Sequence, residues 1–444
     1  MPDKDIIKGF SRLGRREKLE RASSFASDPG KAAEIAEKYR HHDTGVQKLH
    51  DGFSENTLTN FFMPYGVAPN FLVNGKVYMV PMVTEESSVV AAAARSAGFW
   101  SDRGGFIYET NDMLKNGHVH FLWTGSGELL QEVFPELREK LLAGIAPITA
   151  NMEKRGGGIR AVSLEDMGHE IEGYYRIKGE FDTRDSMGAN FINSCLEEFA
   201  AILEDFAGSD ERMVSGGELK VIMSILSNYT DGCIVSVRAE CDVEEMAPFS
   251  GGMPPGEFAR KFVMAVRMAA VDVFRATTHN KGIFNGIDAV VIATGNDFRA
   301  VEAAGHAWAA RSGRYSSLSG AHIEDGRFSL EMALPLSVGT VGGMTGLHPM
   351  ARLSLDMLGN PGAGELMGII ASAGLASNFA AVGALVTKGI QAGHMKMHLS
   401  NILGHFGATD DERAAAEKYF SGRKVGFAAV ENFLTKLRGG GKPG

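Results

Sequence analysis

Between residues 117 and 227 the apolar positions change period several times. His118 to Thr124 alternates as a strand does, and Glu128 to Met152 repeats at helical spacing, with Pro135 and Pro147 expected to interrupt it. After Gly156-Gly157-Gly158 come two strand-like runs, Ile159 to Leu164 and Ile171 to Phe181, joined by the turn-rich Glu165 to His169. An amphipathic helix over Ala189 to Phe206 and a strand over Leu219 to Leu226 complete the order β-α-β-β-α-β, a small sheet covered by two helices in the ferredoxin-like manner. The pattern predicts an α/β (α+β) chain with this domain, residues 112–227, inserted into a larger α/β body. That body comprises 1–111 and 228–388, and a helical tail runs over 389–444.

Two apolar runs in the larger body stand out. Ile287 to Thr294 is continuous and β-branched with Gly on both sides, which reads as a buried strand. It would hold Lys281 and Asp297, sixteen residues apart, at the two ends of one rigid element. Leu366 to Thr387 lacks charge, but Ser372, Ser377, Asn378 and many Gly and Ala residues predict a tightly packed core helix, not a membrane span.

Composition narrows the classes. The 444 residues are 44% hydrophobic and 22% charged, which is globular, and the net charge of −9 opposes generic nucleic-acid binding. Cys195, Cys233 and Cys241 form neither a disulfide framework nor a CxxC metal site, so a reducing, cytoplasmic setting fits. The basic N-terminus has no apolar stretch behind it and is not expected to be a secretory signal.

Five constellations carry candidate chemistry. Thr278-His279-Asn280-Lys281-Gly282, with Gly295-Asn296-Asp297, offers an ammonium and a carboxylate among small neighbours, equipment for stabilising an oxyanion. Glu85 and Glu86 fall in the expected first turn of an Ala-rich helix capped by Thr84, where acidic residues also simply complement the helix dipole. His394 and His398 share a helical face behind Gly389 and Gly393, and Met395 stands where a zinc site of HExxH type needs Glu. Val338 to Gly346 holds four glycines but no Walker lysine, and Arg184 to Asn190 opens a helix at a Gly, a usable pyrophosphate site. The GxGxxG fingerprint is missing, since Gly362 to Gly368 has one residue too many.

Taken together, the motifs resemble those of the class II, bacterial form of hydroxymethylglutaryl-coenzyme A reductase. The matching segments, in chain order, are Glu55-Asn56-Thr57-Leu58, Pro64 to Ala68, Glu85-Glu86-Ser87-Ser88, Asp185 to Asn190, Thr278 to Gly282, Gly295-Asn296-Asp297 and Gly393-His394-Met395. The resemblance implies Glu86, Lys281, Asp297 and His394 as catalytic residues. It implies Ser88, Arg275, Asn285, Glu55 and Asn56 on the substrate side, and Asp185, Met187, Gly188, Ala189, Asn190 and Thr149 on the cofactor side. The expected body is a large acyl-CoA domain, an inserted nicotinamide domain and a C-terminal helical flap, assembled as a homodimer or a trimer of dimers with the active site across the interface. The implied reaction interconverts hydroxymethylglutaryl-CoA with mevalonate and coenzyme A by two hydride transfers through mevaldehyde, without a metal. In this scheme Asp297 holds Lys281 charged and raises the pKa of Glu86. NADPH is expected over NADH, because Thr149 stands where NADH users carry an acid and Lys154, Arg155 and Arg160 lie close by. The alternatives are a different acyl-CoA or nicotinamide oxidoreductase, or a silent ligand-binding paralogue. Ser87, Ser186, Arg352 and Ser400 depart from the usual family residues.

Overall fold

Aspartates punctuate the first sixty residues into short helices: α1 (Arg15–Ser23), then α2 (Pro29–Lys38) and α3 (Thr44–Asp51), whose first amides bond to the carboxylates of Asp28 and Asp43. The structure is a computed structural model that describes residues 6–387, 399–423 and 425–439. It divides into two compact units, Met1–Pro64 and Tyr65–Gly444.

The second unit begins with a hairpin, β1 (Tyr65–Val73) and β2 (Lys76–Val83), turned by Asn74 and Gly75 at φ 46° and 79°. Positive φ at both central residues suits the right-handed twist of the strands. Helix α4 follows as Val89–Ser101, so Glu85 and Glu86 precede the helix and do not form its first turn. Thr84 is not the cap: its hydroxyl accepts from the Glu86 amide at 3.2 Å, a local turn that competes with helix initiation. The residue preceding the helix is Ser88, at φ 77°.

After β3 (Ile107–Thr110) the chain runs through β4 (Lys115–Trp123), α5 (Gly127–Glu153), β5 (Gly158–Asp166), β6 (Tyr174–Asp182), α6 (Ala189–Ser209), the short α7 (Glu211–Gly216) and β7 (Leu219–Leu226). The sheet order β5-β6-β4-β7, antiparallel throughout, is the ferredoxin-like arrangement, and its inner face, α5 and α6 share one core around Phe121, Leu137, Phe181, Phe199 and Leu203. Helix α5 is continuous through Pro135 and Pro147, contrary to expectation. Both prolines lie on its exposed face, as do Gln131 and Ala143 four residues earlier, so the carbonyls that lose an amide partner can turn to water.

A second antiparallel sheet, β3-β8-β10-β9, is built from β3, β8 (Ile234–Asp242), β9 (Ser319–Glu324) and β10 (Arg327–Pro335). Between β8 and β9 lie α8 (Pro255–Val271), α9 (Val273–Ala293) and α10 (Phe298–Ala309); after β10 come α11 (Gly343–Leu347), α12 (Pro349–Met357) and α13 (Ala363–Val386). The segment from Ile287 to Ala293 is therefore the second half of a helix, not a strand. A continuous apolar run fits either element. Here Ile283, Ile287, Val290 and Val291 are buried because α9 packs lengthwise on α13, itself buried on every side from Leu366 to Phe379.

The two helices meet backbone to backbone at Gly286, where a Cβ would stand 2.3 Å from the Ala373 carbonyl oxygen and 2.5 Å from Ser377 Oγ. Beneath α13, Phe379 contacts Phe99, Trp100, Phe249 and Phe262 as one aromatic cluster. Helix α13 is long and apolar enough to cross a membrane, yet protein encloses it, as expected for a core helix. Residues Leu399, Ile402 and Leu403 form a separate small core with helices Asp410–Tyr419 and Phe427–Arg438.

Candidate active site

Helix α9 places Arg275, Thr278, Lys281, Gly282 and Asn285 along one wall of a cavity of about 710 Å³. The spacing of three and four residues keeps these side chains on one side of the helix. The turn before α4 supplies Glu86, Ser87 and Ser88, and α13 supplies Ser377 and Asn378. Four expected site residues, Ser88, Arg275, Lys281 and Asn285, are thus brought together with Glu86. The Lys281 ammonium donates to Glu86 Oε2, joining α9 to the β2–α4 turn across 195 positions of sequence. Both side chains are well exposed, 59% and 35%, so the pair adds little to stability and remains open to a ligand.

Asp297 does not meet Lys281 within the chain. Ala293 lies twelve residues beyond Lys281 on one straight helix, and at ~1.5 Å per residue that alone is about 18 Å. The Asp297 carboxylate instead caps α10, accepting from the Arg299 and Ala300 amides at 3.0 and 3.2 Å and pairing with the Arg299 guanidinium at 3.1 Å. Burial works to raise its pKa, but the Arg299 guanidinium and the amides outweigh burial and hold it below the usual carboxylate range. The anticipated arrangement, Asp297 beside Lys281 and Glu86, is therefore not made by residues of one copy. A strand or a helix between them separates the two groups equally well; the sequence motif carries no record of that distance.

Four further polar residues, three lining the cavity and one beside it on α9, were not singled out from sequence. His279, on α9, is almost fully buried, with Nε2 at 2.6 Å from Ser319 Oγ and 3.1 Å from the Asn378 amide nitrogen. Burial, aided by Arg275, pushes its pKa down to about 4, so the ring is neutral. Asn378 and Ser377 were visible only as polar interruptions of an apolar helix. Asp288 lies two turns beyond Lys281 on the same face of α9, and its pKa is pushed up to about 8 by burial, then by Glu302 and Glu85. It ties the helix of the lysine to α10, where Glu302 lies, and to the glutamate turn.

On the small sheet, Lys115 is buried and its ammonium donates to Thr183 Oγ1 and the Ser186 carbonyl, both at 2.6 Å, holding the loop before α6; burial lowers its pKa. Asp185, expected on the cofactor side, is committed within the protein: its carboxylate accepts from the Ala363 amide at 2.7 Å, and its carbonyl from Thr340 at 2.8 Å. Asn296 accepts from the Gly339 amide at 2.8 Å, so the glycine-rich loop joins the aspartate motif to the Asp185 motif. Thr149 is buried, with its hydroxyl donating to Glu153 at 2.6 Å, so it does not present itself to a ribose. Arg160 pairs with Asp182 at 2.9 Å, whereas Lys154 and Arg155 are exposed. Gly188, at φ 80°, leads into α6, whose first amides have no side-chain cap and remain available to an anion. Met187 and Ala189 line a small recess with Lys115, and Asn190 lies in the first turn of α6. Glu55 and Asn56 belong to the N-terminal unit, where Asn56 turns the chain at φ 59°. His394 lies outside the described residues.

Residues 14–399 match the family model for hydroxymethylglutaryl-coenzyme A reductase. The chain belongs to this family. It is 34% identical over 410 residues to a 3-hydroxy-3-methylglutaryl-coenzyme A reductase of Archaeoglobus fulgidus, covering 91% of this chain and 88% of that protein. A probable reductase of Borreliella burgdorferi is 32% identical over 399 residues, 90% of this chain and 87% of that one. Among solved structures, the class II reductase of Streptococcus pneumoniae bound to NADPH in open conformations superimposes with a TM-score of 0.71 at 37% identity, covering 96% of this chain and 100% of that one. The protein is thus a class II hydroxymethylglutaryl-CoA reductase, an oxidoreductase that interconverts hydroxymethylglutaryl-CoA and mevalonate with NAD(P)H. Its sheets are antiparallel, as described for this mixed α/β architecture.

Proposed function

We propose that the cavity between α4, α9 and α13 holds the hydroxymethylglutaryl group, with Lys281 and Glu86 as its reacting pair. The observation that carries this assignment is the Lys281–Glu86 ion pair, exposed within a cavity that also holds Arg275, Ser88 and Asn285. Each hydride addition to the acyl carbon leaves negative charge on oxygen, and the Lys281 ammonium is the cation at hand to neutralise it. Arg275 supplies a fixed charge for the substrate carboxylate, and Ser88 and Asn285 supply hydrogen bonds. Glu86, bonded to Lys281, passes a proton toward the oxygen at the aldehyde stage. His394 protonates the departing coenzyme A thiolate, with residues 389–444 acting as the flap.

The hydride donor belongs on the small domain, residues 112–227. Its pyrophosphate fits the uncapped first turn of α6 at Gly188, Ala189 and Asn190, with Met187 in the same loop, while Asp185 shapes that loop through its bond to Ala363. When bound, the nicotinamide supplies a hydride, a proton with two electrons, to the carbonyl carbon. NADPH is the preferred form. The exposed Lys154 and Arg155 support a phosphate on the ribose, and the pneumococcal relative is described with NADPH.

The functional unit is a homodimer, or a trimer of dimers, in the cytoplasm. The length of α9 supports this: Lys281 needs a carboxylate partner beyond Glu86, and Asp297 of a second copy can reach it where its own cannot. Met264, Met268 and Val271 form an exposed stripe at i, i+4 and i+7 along α8, continued by Phe274 at 84% exposure, a surface that calls for cover. Three free, buried cysteines accord with a reducing compartment. The test follows nicotinamide absorbance with hydroxymethylglutaryl-CoA and each of NADH and NADPH. Turnover faster with NADPH is expected; a folded dimer without turnover on either would sink the assignment.

A further inference from the structure

Lys115, the first residue of β4, is 4% exposed, and its ammonium holds one tight turn together. It donates to Thr183 Oγ1 and to the Ser186 carbonyl, both at 2.6 Å, while the Thr183 hydroxyl donates to that same carbonyl at 2.7 Å. Thr183 in turn bears on where α6 begins, since a Cβ on Gly188 would stand 2.4 Å from Thr183 Cγ2. The lysine is thus joined, through Thr183 and Ser186, to the helix start that offers uncapped amides.

A buried cation ordinarily has a carboxylate beside it. Lys115 pairs with none among the described residues. Asp182 is taken by Arg160 at 2.9 Å and Arg184 at 3.3 Å, and the Asp185 carboxylate accepts from the Ala363 amide at 2.7 Å. The Cys233 thiol, pushed up to about 11 by burial, is no anion at ordinary pH. Burial therefore outweighs Cys233, Asp182 and Asp185 and lowers the pKa of Lys115.

An anion close to this turn offsets the cost of the buried charge, and the first turn of α6 suits the pyrophosphate of a dinucleotide. We infer that Lys115 is a positioning residue for the nicotinamide cofactor: its ammonium holds the loop before α6 and takes the pyrophosphate as the counter-charge that the chain itself does not provide. Cofactor affinity then depends on the proton of Lys115, and by reciprocity the bound pyrophosphate holds that proton more tightly. This rests on the assignment of the pyrophosphate to the first turn of α6.

The experiment measures dissociation constants by calorimetry for NADH, whose pyrophosphate has no titrating proton at neutral or alkaline pH. Wild type and Lys115→Met, which keeps an apolar stem without the charge, are compared over about pH 7 to 9.5, below the ordinary lysine range. At the neutral end Lys115→Met should bind NADH about tenfold more weakly, with hydroxymethylglutaryl-CoA binding unchanged. As pH rises, the wild-type affinity should fall toward that of Lys115→Met, whose own affinity stays level. Repeating the titrations in buffers of different ionisation enthalpy should show the wild type taking up a proton on binding NADH at alkaline pH, and Lys115→Met taking up none. A purely structural lysine would give two parallel pH curves and no proton uptake; either result overturns the inference. If Lys115→Met fails to fold, the wild type's pH curve and proton uptake decide the matter alone. Asn190→Asp, which sets a carboxylate in the first turn of α6, should weaken NADH binding. Unchanged affinity there would instead sink the placement of the pyrophosphate.

Discussion

Replacing Gly286 with Ala sets two known effects against each other. In a helix interior, Ala is favoured over Gly by about 1 kcal/mol, so an isolated α9 would gain stability. At this position the new Cβ would meet the Ala373 carbonyl oxygen at 2.3 Å and Ser377 Oγ at 2.5 Å, and ordinary contact begins at 3.4 Å. The neighbour at 2.3 Å is backbone, so it cannot swing aside. Helices α9 and α13 must separate by roughly 1 Å, an overpacking penalty of ~1–3 kcal/mol to which weakened dispersion attraction along the buried crossing adds. The packing effect should win, leaving the variant about 2 kcal/mol less stable than wild type. Urea unfolding followed by circular dichroism, with midpoint and slope compared, measures it. Because Lys281 and Asn285 ride on α9 while Ser377 and Asn378 ride on α13, kcat/KM should fall by about a hundredfold as the walls part. A variant as stable as wild type, or more so, would refute the crossing geometry, since helix propensity alone predicts that outcome.

Further outcomes follow from the same geometry. Lys281→Ala should abolish turnover while the dissociation constant for hydroxymethylglutaryl-CoA stays within a few fold, checked by absorbance and calorimetry; wild-type rates would remove Lys281 from the chemistry. Asp297→Asn keeps a residue able to cap α10, so it should fold and be inactive. Mixing it with Lys281→Ala subunits should restore activity in hybrid dimers, and no recovery in a verified heterodimer would contradict the shared site. Asp288 has a folded pKa of about 8 against an ordinary value of 3.8, so the native state binds its proton more tightly than the unfolded chain. That stabilisation is complete below the ordinary value and is lost as pH rises through the folded one. The wild-type denaturation midpoint should therefore decline on going from about pH 6 to about pH 9, and Asp288→Asn should flatten the decline; parallel curves would argue against a shared proton.

Much of the architecture was legible from the chain alone. The β-α-β-β-α-β order could be followed because each element of the small sheet has one buried and one wet face, and such elements write their period into the sequence. The core helix Ala363–Val386 was recognisable from its small and polar interruptions. Glu86, Ser88, Arg275, Lys281 and Asn285 were identifiable as a set from their motifs, and the family comparisons agree with the family those motifs resemble.

The second half of α9 was not legible, for the opposite reason. Ile287 to Ala293 is buried or half-buried throughout and apolar at every position but Asp288, so too little of a period remains to separate helix from strand. The partners of charged groups were equally hidden: Lys281 meets Glu86 across 195 positions, and Asp297 turns to Arg299 and the amides of α10. Local sequence determined which residues carry charge and which segments alternate, because these depend on neighbours along the chain. Tertiary packing alone decided which charges meet, because a backbone contact such as Gly286 against Ala373 sets how closely α9 and α13 approach, and so what faces the cavity.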